Sequence, residues 1–424
     1  MNFSLRIGYE GVALLARGLA SVAPSSSNKL LNTFASRRGV RARFAAFNRA
    51  PGRPLLWMHA PSVGEGLQAR PVLELSRERA REWQLAYTYF SPSAERFAAG
   101  LNVDFRDVLP FDGTGDARAA LNALDPTALV FSKLDVWPTL AREASNRGVA
   151  LGLISATLAP GSTRRRGVAS ALLRDAYARL DRVGAISAED AERLIALGVP
   201  ASKVTVTGDT RYDQVWARAA RADLGSALLT PLRSDRPTLV AGSTWPADEK
   251  PLLEAWSALR EQHPEARLII APHEPTPSHL EPIERWASGS ELPCARLGAA
   301  EAADADVVIV DRVGVLGDLY ALADIAFVGG GFHTAGLHSV LEPAAFGAPV
   351  AFGPRHANSR EAGLLVTAGG AASVGDAPAL EVALGHWLEE IAARRTAGDA
   401  AREVVRAGLG AAERSYALVA ELMR

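Results

Sequence analysis

The sequence predicts an α/β protein built from two doubly wound parallel sheets that face a central cleft. Short apolar runs alternate with helix-like stretches from residue 55 onward, which is typical of parallel strands covered by helices. The alternation stops at 221–237, a stretch that contains Pro231, ends at Pro237 and is typical of a linker, and it resumes at 238. The chain of 424 residues is also too long for one hydrophobic core. Ligands of such sheets bind beyond the carboxyl ends of the strands, so both halves should present theirs to the cleft.

Before the first sheet, residues 1–50 combine an apolar stretch with a basic segment. Three charged residues interrupt the apolar stretch 1–22: Arg6, Glu10 and Arg17. It therefore falls short of the roughly 20 uninterrupted apolar residues of a membrane span, and it lacks the cleavage context of a signal peptide. Four residues could share one helical face: Leu5, Val12, Leu15 and Leu19. Such a helix could lie on an anionic membrane surface, or pack on the domain with a solvated basic face.

The first half should contain seven strands with helices between them. The predicted strands are 55–59, 83–89, 108–109, 128–131, 149–154, 182–185 and 204–207. The second half continues the pattern with strands at 238–241, 266–271, 294–297, 307–310, 325–328 and 348–352. A long helix over 380–397 and a last one over 400–423 complete the chain.

The second half is organised around 326–358, where three glycines, 329–331, follow an apolar strand. A helix should begin near Ser339, with Glu342 as its capping-box partner. Free amides and a positive helix end would suit a phosphate-sized anion. Polar side chains gather in the same stretch: His333, His338, Glu342, His356 and Asn358. Alternatively, the glycines serve only close packing.

In the first half, three strand ends carry candidate groups. Glu65 could accept a proton from a hydroxyl, or it could complete a capping box with Ser62. Lys133 and Asp135 could form a second site, or a surface ion pair with Asp135 as a helix cap. Arg211 suits a phosphate or carboxylate, or else an ion pair with a neighbouring aspartate.

Several segments of the second half converge on a nucleotide-shaped cup. It would be formed by Ser243, the pair Pro272 and His273, the backbone of 314–316, the glycine turn and Glu342. The bulk composition excludes other classes. The net charge of −1 gives no field that favours nucleic acid. A lone cysteine excludes an internal disulfide, and since metal-binding motifs are missing, we expect neither a metal nor another cofactor.

Taken in order, these motifs resemble the Kdo transferase family (3-deoxy-D-manno-octulosonic acid transferase), which are glycosyltransferases of the GT-B fold. The resemblance runs over nearly the whole chain. Its motifs are HAPSVGE, KLDVWP, ISA, GDTRYD, IIAPHEP, GVLGDLYALADIAFVGGGF and HSVLEPAAFGAPVAFGP, followed by Asn358. It implies inverting, metal-independent transfer of Kdo from CMP-Kdo to a lipid A precursor (lipid IVA) in lipopolysaccharide core biosynthesis. The place of action would be the cytoplasmic face of the inner membrane of a Gram-negative bacterium.

The resemblance also implies roles for residues. Glu65 matches the general base, and Asp135 and Arg211 match residues that support the transition state. We expect donor contacts from Ser243, Pro272, His273, Gly314, Val315, Leu316, Gly330, Gly331, Ser339, Val340, Leu341, Glu342 and Asn358. We expect acceptor contacts from Ser62, Gly64 and Lys133. Residues 51–220 would then bind the acceptor and 238–424 the CMP-sugar.

Four positions depart from the family pattern: Pro61, Asp135, His273 and Ser339. Asp135 is one methylene shorter than the usual glutamate, and His273 replaces an arginine and so removes a permanent charge. Three other readings stay open at this point. The chain could be a nucleotide-sugar 2-epimerase, a GT-B transferase that uses another cytidylyl sugar, or a non-catalytic protein of the membrane surface.

Overall fold

The computed structural model describes residues 3–24, 28–159, 161–162, 164 and 167–424. Of the predicted membrane-associating segment 1–50, residues 1, 2 and 25–27 lie outside the described residues. Contacts divide the chain into a first unit, Met1–Gln214 with Leu409–Arg424, and a second unit, Val215–Gly408.

A parallel seven-stranded sheet forms the centre of the first unit. Its strands are β1 (Leu55–His59), β2 (Gln84–Tyr89), β3 (Phe105–Val108), β4 (Ala128–Ser132), β5 (Ala150–Ala156), β6 (Arg182–Ala185) and β7 (Val204–Val206). The order across the sheet is β3-β2-β1-β4-β5-β6-β7, so the order reverses beside β1. Trp57 of β1 lies between Ala86 and Leu129 of its two neighbours. Strands β1, β2 and β4 are buried along their whole length, as expected for a sheet with helices on both faces.

Eleven described helices belong wholly or in part to this unit or its amino-terminal extension. They are α1 (Phe3–Val22), α2 (Lys29–Ala35), α3 (Val40–Ala45), α4 (Val63–Arg79), α5 (Glu95–Ala99), α6 (Thr114–Leu124), α7 (Pro138–Ser145), α8 (Gly167–Ala178), α9 (Ala188–Leu197), α10 (Arg211–Ala220) and, at the carboxyl end, α18 (Ala411–Leu422). Helix α10 contains the division between the two units.

The second unit has its own parallel seven-stranded sheet. Its strands are β8 (Thr238–Thr244), β9 (Arg267–Pro272), β10 (Cys294–Arg296), β11 (Val307–Ile309), β12 (Ile325–Val328), β13 (Val350–Phe352) and β14 (Ala371–Ser373). They lie in the order β10-β11-β9-β8-β12-β13-β14, which puts β8 between β9 and β12. The predicted α/β class of two doubly wound parallel sheets is confirmed.

Seven described helices cover this second sheet. They are α11 (Pro246–Gln262), α12 (Pro277–Gly289), α13 (Leu316–Leu319), α14 (Leu341–Phe346), α15 (Arg360–Ala368), α16 (Ala377–Glu389) and α17 (Ile391–Ala407). The buried indole of Trp256 and the apolar residues of α16 form the core on one face of the sheet.

The carboxyl-terminal region differs from the prediction. The chain breaks at Glu390, whose ψ of 83° is not helical, and again at Gly410, whose φ is 85°. Three helices therefore replace the predicted two. The last of them, α18, buries Leu418 and Val419 in the core of the first unit, although the sequence assigned 238–424 to the second domain. Helix α15 and strand β14 had not been predicted.

Helix α1 is attached to the first unit through one side only. The Tyr9 hydroxyl donates to Asp112 at 2.8 Å, and Glu10 accepts from the amide of Thr114 at 3.0 Å. The opposite side is apolar and exposed: Ile7, Val12, Leu15, Leu19 and Val22. Within the described residues, helices with the length and apolarity of a membrane span are absent.

Candidate active site

Glu65 lies in the first turn of α4, directly after β1. Its carboxylate accepts hydrogen bonds from the Ser62 hydroxyl and, at 3.2 Å, from the Lys133 ammonium. A capping box would direct the Ser62 hydroxyl to the Glu65 amide, but here it donates to the carboxylate, so the capping-box interpretation is wrong. Burial raises the pKa of Glu65, but the Ser62 hydrogen bond and the Lys133 charge outweigh it and lower the pKa overall. The group is therefore an ionised hydrogen-bond acceptor at neutral pH.

Lys133, which donates to Glu65, has a left-handed backbone with φ = 68°. This conformation is unfavourable for a lysine, and such strain is common at functional sites. The contact between Lys133 and Glu65 follows from the positions of the strand ends. β1 and β4 are adjacent and parallel, so residues that follow them lie at one edge of the sheet. Ser132 at the end of β4 also donates to the backbone oxygen of Glu65, at 3.0 Å.

Asp135 lies in the same group of charges and pairs with Arg164. Burial raises the pKa of its carboxyl. Arg164 and Lys133 oppose this effect, whereas the neighbouring Glu65 adds to it. The structure therefore brings together two of the predicted catalytic carboxylates and the predicted acceptor residue Lys133. Of the other acceptor candidates, Ser62 contacts Glu65, and Gly64 is exposed beside it.

Arg211 is tied to the helix of Glu65 through a buried aspartate. Its Nε and Nη2 donate to Asp209 at 2.9 and 2.7 Å. Asp209 also accepts from Gln68 of α4, at 3.2 Å. The ion-pair alternative for Arg211 is thus realised. The Arg211 guanidinium is therefore bound to Asp209, and this carboxylate is also hydrogen-bonded to α4, the helix that carries Glu65.

A cavity of about 480 Å³ opens beside Asp135. Its lining is mostly apolar and comes from α1, the chain after β4, Arg164 between β5 and α8, and α8 itself: Tyr9, Leu134, Asp135, Val136, Trp137, Pro138, Arg164, Leu172 and Leu173. Trp137 is fixed there, since its indole N–H donates to Nε2 of His59 at 2.9 Å and its ring stacks on Phe90. Burial lowers the pKa of His59 to about 3, so this imidazole is a neutral support for the cavity wall.

In the second unit, the glycine turn follows β12 as predicted, but its amides are largely used within the protein. Asp248 of α11 is fully buried and accepts from the amides of Gly330 at 2.7 Å and Phe332 at 2.8 Å. The amide of Gly329 donates to Gly242. The turn is also tightly packed: a Cβ on Gly331 would lie 2.4 Å from the nitrogen of Gly353. The prediction that the Gly330 amide binds a phosphate is therefore wrong, because this amide donates to the Asp248 carboxylate.

Aromatic rings gather over this turn. Trp245 stacks on His333 with ring centroids 4.6 Å apart, and the His273 ring lies 4.7 Å from the indole. His273 in turn stacks on His338 at 4.4 Å. Three strand ends meet here, those of β8, β9 and β12, which explains why residues far apart in sequence make contact. Ser243, at the end of β8, has a left-handed backbone with φ = 54°.

The remaining donor candidates fall into two groups. Glu342 lies in the first turn of α14, where burial raises its pKa while the nearby Arg218 lowers it. Arg218 also pairs with Asp318 and covers Gly317, next to the predicted segment Gly314, Val315 and Leu316. Asn358 instead fixes a loop, since its side chain bonds both the amide and the carbonyl of Leu337.

The predicted helix near Ser339 is present, since α14 begins at Leu341, but its N-cap is Val340 and the predicted capping box of Ser339 with Glu342 is wrong. Ser339 is exposed, and Val340 and Leu341 are buried. Two functional candidates had not been predicted from the sequence. Asp248 and Arg218 lie in helices, and they reach the site only through tertiary packing. Among the described residues, no group of three or more His, Cys, Asp and Glu side chains could hold a metal ion.

Comparison with known proteins gives a consistent result. The family profile described as 3-deoxy-D-manno-octulosonic-acid transferase (kdotransferase) matches residues 38–214. The 3-deoxy-D-manno-octulosonic acid transferase of Bordetella pertussis is 32% identical over 388 residues, which cover 88% of this chain and 89% of that protein. The chain belongs to the Kdo transferase family. A protein of the same name from Chlamydophila psittaci is 30% identical over 74% of this chain and 73% of its own length.

Solved structures agree with the fold of this Kdo transferase family member. The UDP-GlcNAc 2-epimerase from Neisseria meningitidis, bound to UDP-GlcNAc, is similar with a TM-score of 0.64. The match covers 87% of this chain and 99% of the epimerase at 15% identity, so it shows the fold alone. The predicted family, its glycosyltransferase class and its GT-B-like fold are confirmed.

Proposed function

We propose that this protein transfers Kdo from CMP-Kdo to a lipid A precursor of the lipid IVA type, with inversion at the anomeric carbon and without a metal. The reaction belongs to lipopolysaccharide core biosynthesis. The observation that carries the proposal is the ionised carboxylate of Glu65, held by Ser62 and Lys133 beside Asp135. Family membership supplies the sugar and the class of reaction.

In the proposed step, the Glu65 carboxylate takes the proton of an acceptor hydroxyl. The hydroxyl oxygen then forms a bond to the anomeric carbon of Kdo. The bond between that carbon and the phosphate oxygen of CMP breaks, and CMP leaves with the electron pair. Lys133 keeps Glu65 ionised before the transfer, and the Arg211 guanidinium is suited to the charge that develops on the phosphate or the Kdo carboxylate.

The cavity beside Asp135 supports a lipid acceptor. Its apolar residues Leu172 and Leu173 could contact the acyl part, while the charged Asp135 and Arg164 face the polar part. Tyr9 links this cavity to α1, whose exposed side is apolar. We therefore propose that α1 lies on the cytoplasmic face of the inner membrane, so that a lipid acceptor can reach the cavity from the bilayer.

The catalytic proposal is tested by incubation with CMP-Kdo and a tetraacylated lipid A precursor, with products read by mass spectrometry. Glu65→Gln should lower turnover by about 10²- to 10⁴-fold, because the amide cannot take the proton. Binding of the donor should stay the same. The matched control is Glu74→Gln on the exposed side of the same helix, which should leave turnover unchanged. Near-normal turnover in Glu65→Gln would refute the general base, and an epimerised free sugar nucleotide would favour the epimerase alternative.

The membrane proposal is tested by co-sedimentation with vesicles that contain anionic lipid. Leu15 and Leu19 are 72% and 55% exposed, so the double change to glutamate should weaken vesicle binding at least about tenfold. The control is Val382→Glu in the second unit, which is 74% exposed and lies outside α1. Equal loss of binding in both variants would argue against a specific role of α1.

A further inference from the structure

The rings over the glycine turn differ in the hydrogen bonds that their nitrogens make. The group consists of Trp245 and three imidazoles, those of His273, His333 and His338. The indole N–H of Trp245 donates to Nε2 of His338 at 3.2 Å, and the backbone N–H of Ala335 donates to Nδ1 of His333 at 3.2 Å. Indole and backbone nitrogens can only donate, so both imidazole nitrogens must be acceptors. Either ring could be protonated only by losing that hydrogen bond.

His273 is different. Among the described residues, neither of its ring nitrogens receives a hydrogen bond, and its side chain is exposed. Its ring lies against the indole of Trp245 at 4.7 Å, a distance at which an aromatic ring stabilises a cation. The stacked His338 has its pKa lowered to about 4, mainly by burial and further by His273 and His333. Of the three imidazoles, His273 is therefore the one whose ring nitrogens are not already used as acceptors by the described residues.

The groups around the rings include two carboxylates, so an anionic ligand bound here would need a positive charge to balance it. Asp248 is bonded to three backbone amides, and Glu249 accepts from the Thr244 hydroxyl at 2.9 Å. From α12, His279 faces Trp245, and its Nδ1 donates to the backbone oxygen of Glu274. An anion placed here meets these carboxylates and the rings of Trp245 and the imidazoles. Protonation of one imidazole would supply the missing positive charge.

We propose that His273 contacts the phosphate of the nucleotide-sugar donor and takes up a proton from solvent when the donor binds. The inference rests on the proposed function, because it assumes that a phosphodiester occupies this edge of the sheet. Donor affinity should then fall as the pH rises through neutrality. A site that uses an arginine at this position would lack this dependence, because a guanidinium keeps its charge.

The test uses isothermal titration calorimetry of the full chain with the methyl ester of cytidine 5′-monophosphate. This phosphodiester keeps one negative charge across the neutral range, so a change in proton number reports the protein. Titrations at about pH 7 in buffers of different ionisation enthalpy should show uptake of a fraction of one proton. Affinity should fall about fivefold to tenfold between about pH 6 and pH 8, as expected for one imidazole whose cation gains a charged neighbour.

Substitutions of single histidines show which imidazole takes up the proton. His273→Gln should abolish both the proton uptake and the pH dependence, and His273→Arg should give affinity independent of pH. His386→Gln, an exposed histidine on α16, is the matched control and should behave as the unchanged chain. Uptake that persists in His273→Gln, or that is lost in His279→Gln or His333→Gln instead, would overturn the assignment. Binding without proton uptake would overturn this inference alone, whereas lack of binding at every pH would overturn the proposed donor together with it.

Discussion

Removing the carboxylate of Asp248 should release the glycine turn. Its Oδ2 accepts from the amides of Trp245 and Gly330, and its Oδ1 from the amide of Phe332. Hydrogen bonds to a charged group contribute about 1.5–3 kcal/mol each. Losing the two bonds to the turn should therefore lower the free energy of its local opening by about 3 kcal/mol or more. Since about 1.4 kcal/mol is a tenfold change, the two turn amides in Asp248→Ala should exchange hydrogen about a hundredfold faster.

The conservative variant gives a sharper result. In Asp248→Asn the remaining carbonyl oxygen can still accept from Trp245 and Gly330, while the new NH₂ faces the N–H of Phe332. We expect about tenfold faster exchange at Phe332 and little change at Gly330. The assay is hydrogen exchange read by mass spectrometry with fragmentation to single amides.

The exposed Asp235 provides the control, because Asp235→Ala should leave both turn amides unchanged. Protection of both amides within about twofold of the unchanged protein in Asp248→Ala would refute the reasoning. It would mean that close packing of the glycines, and not the buried carboxylate, holds the turn.

Two further predictions concern stability. Burial raises the pKa of Asp112 to about 7, so between about pH 4 and pH 7 the folded protein binds more protons there than the unfolded chain. Its contribution to the free energy of unfolding is thus present at low pH and lost as the pH rises. In urea unfolding, Asp112→Asn should reduce the loss of stability between about pH 4 and pH 7 by roughly 2–4 kcal/mol. The same pH dependence of stability in the variant and the unchanged protein would contradict this. Gly331→Ala should cost roughly 1–3 kcal/mol in the same assay, because the new Cβ meets Gly353, whereas Gly363→Ala in open space should cost nothing; equal effects would contradict the packing argument.

The fold could be predicted because parallel strands and their helices leave strong local patterns. The meeting of Glu65 with Lys133 was also accessible, since adjacent strand ends share one edge of the sheet. Asp248 was not accessible, because it precedes the amides that it binds by 82 and 84 residues and reads locally as an ordinary acidic residue of a first helical turn. The predicted cap at Ser339 failed for a similar reason. The preceding loop is held by Asn358 through contacts that local sequence does not encode.

The use of the turn amides changes how an anion can be recognised at the second sheet. A free glycine turn would offer backbone donors, but here Gly330 and Phe332 donate to Asp248, which adds a negative charge of its own. An incoming phosphate must therefore be balanced by side chains. The structure offers two kinds: the imidazole of His273, which follows β9, and the permanent guanidinium of Arg218 in α10, near Glu342. A donor whose phosphate contacts Arg218 would bind independently of pH, whereas one held by His273 would not. The pH dependence of affinity therefore separates the two placements.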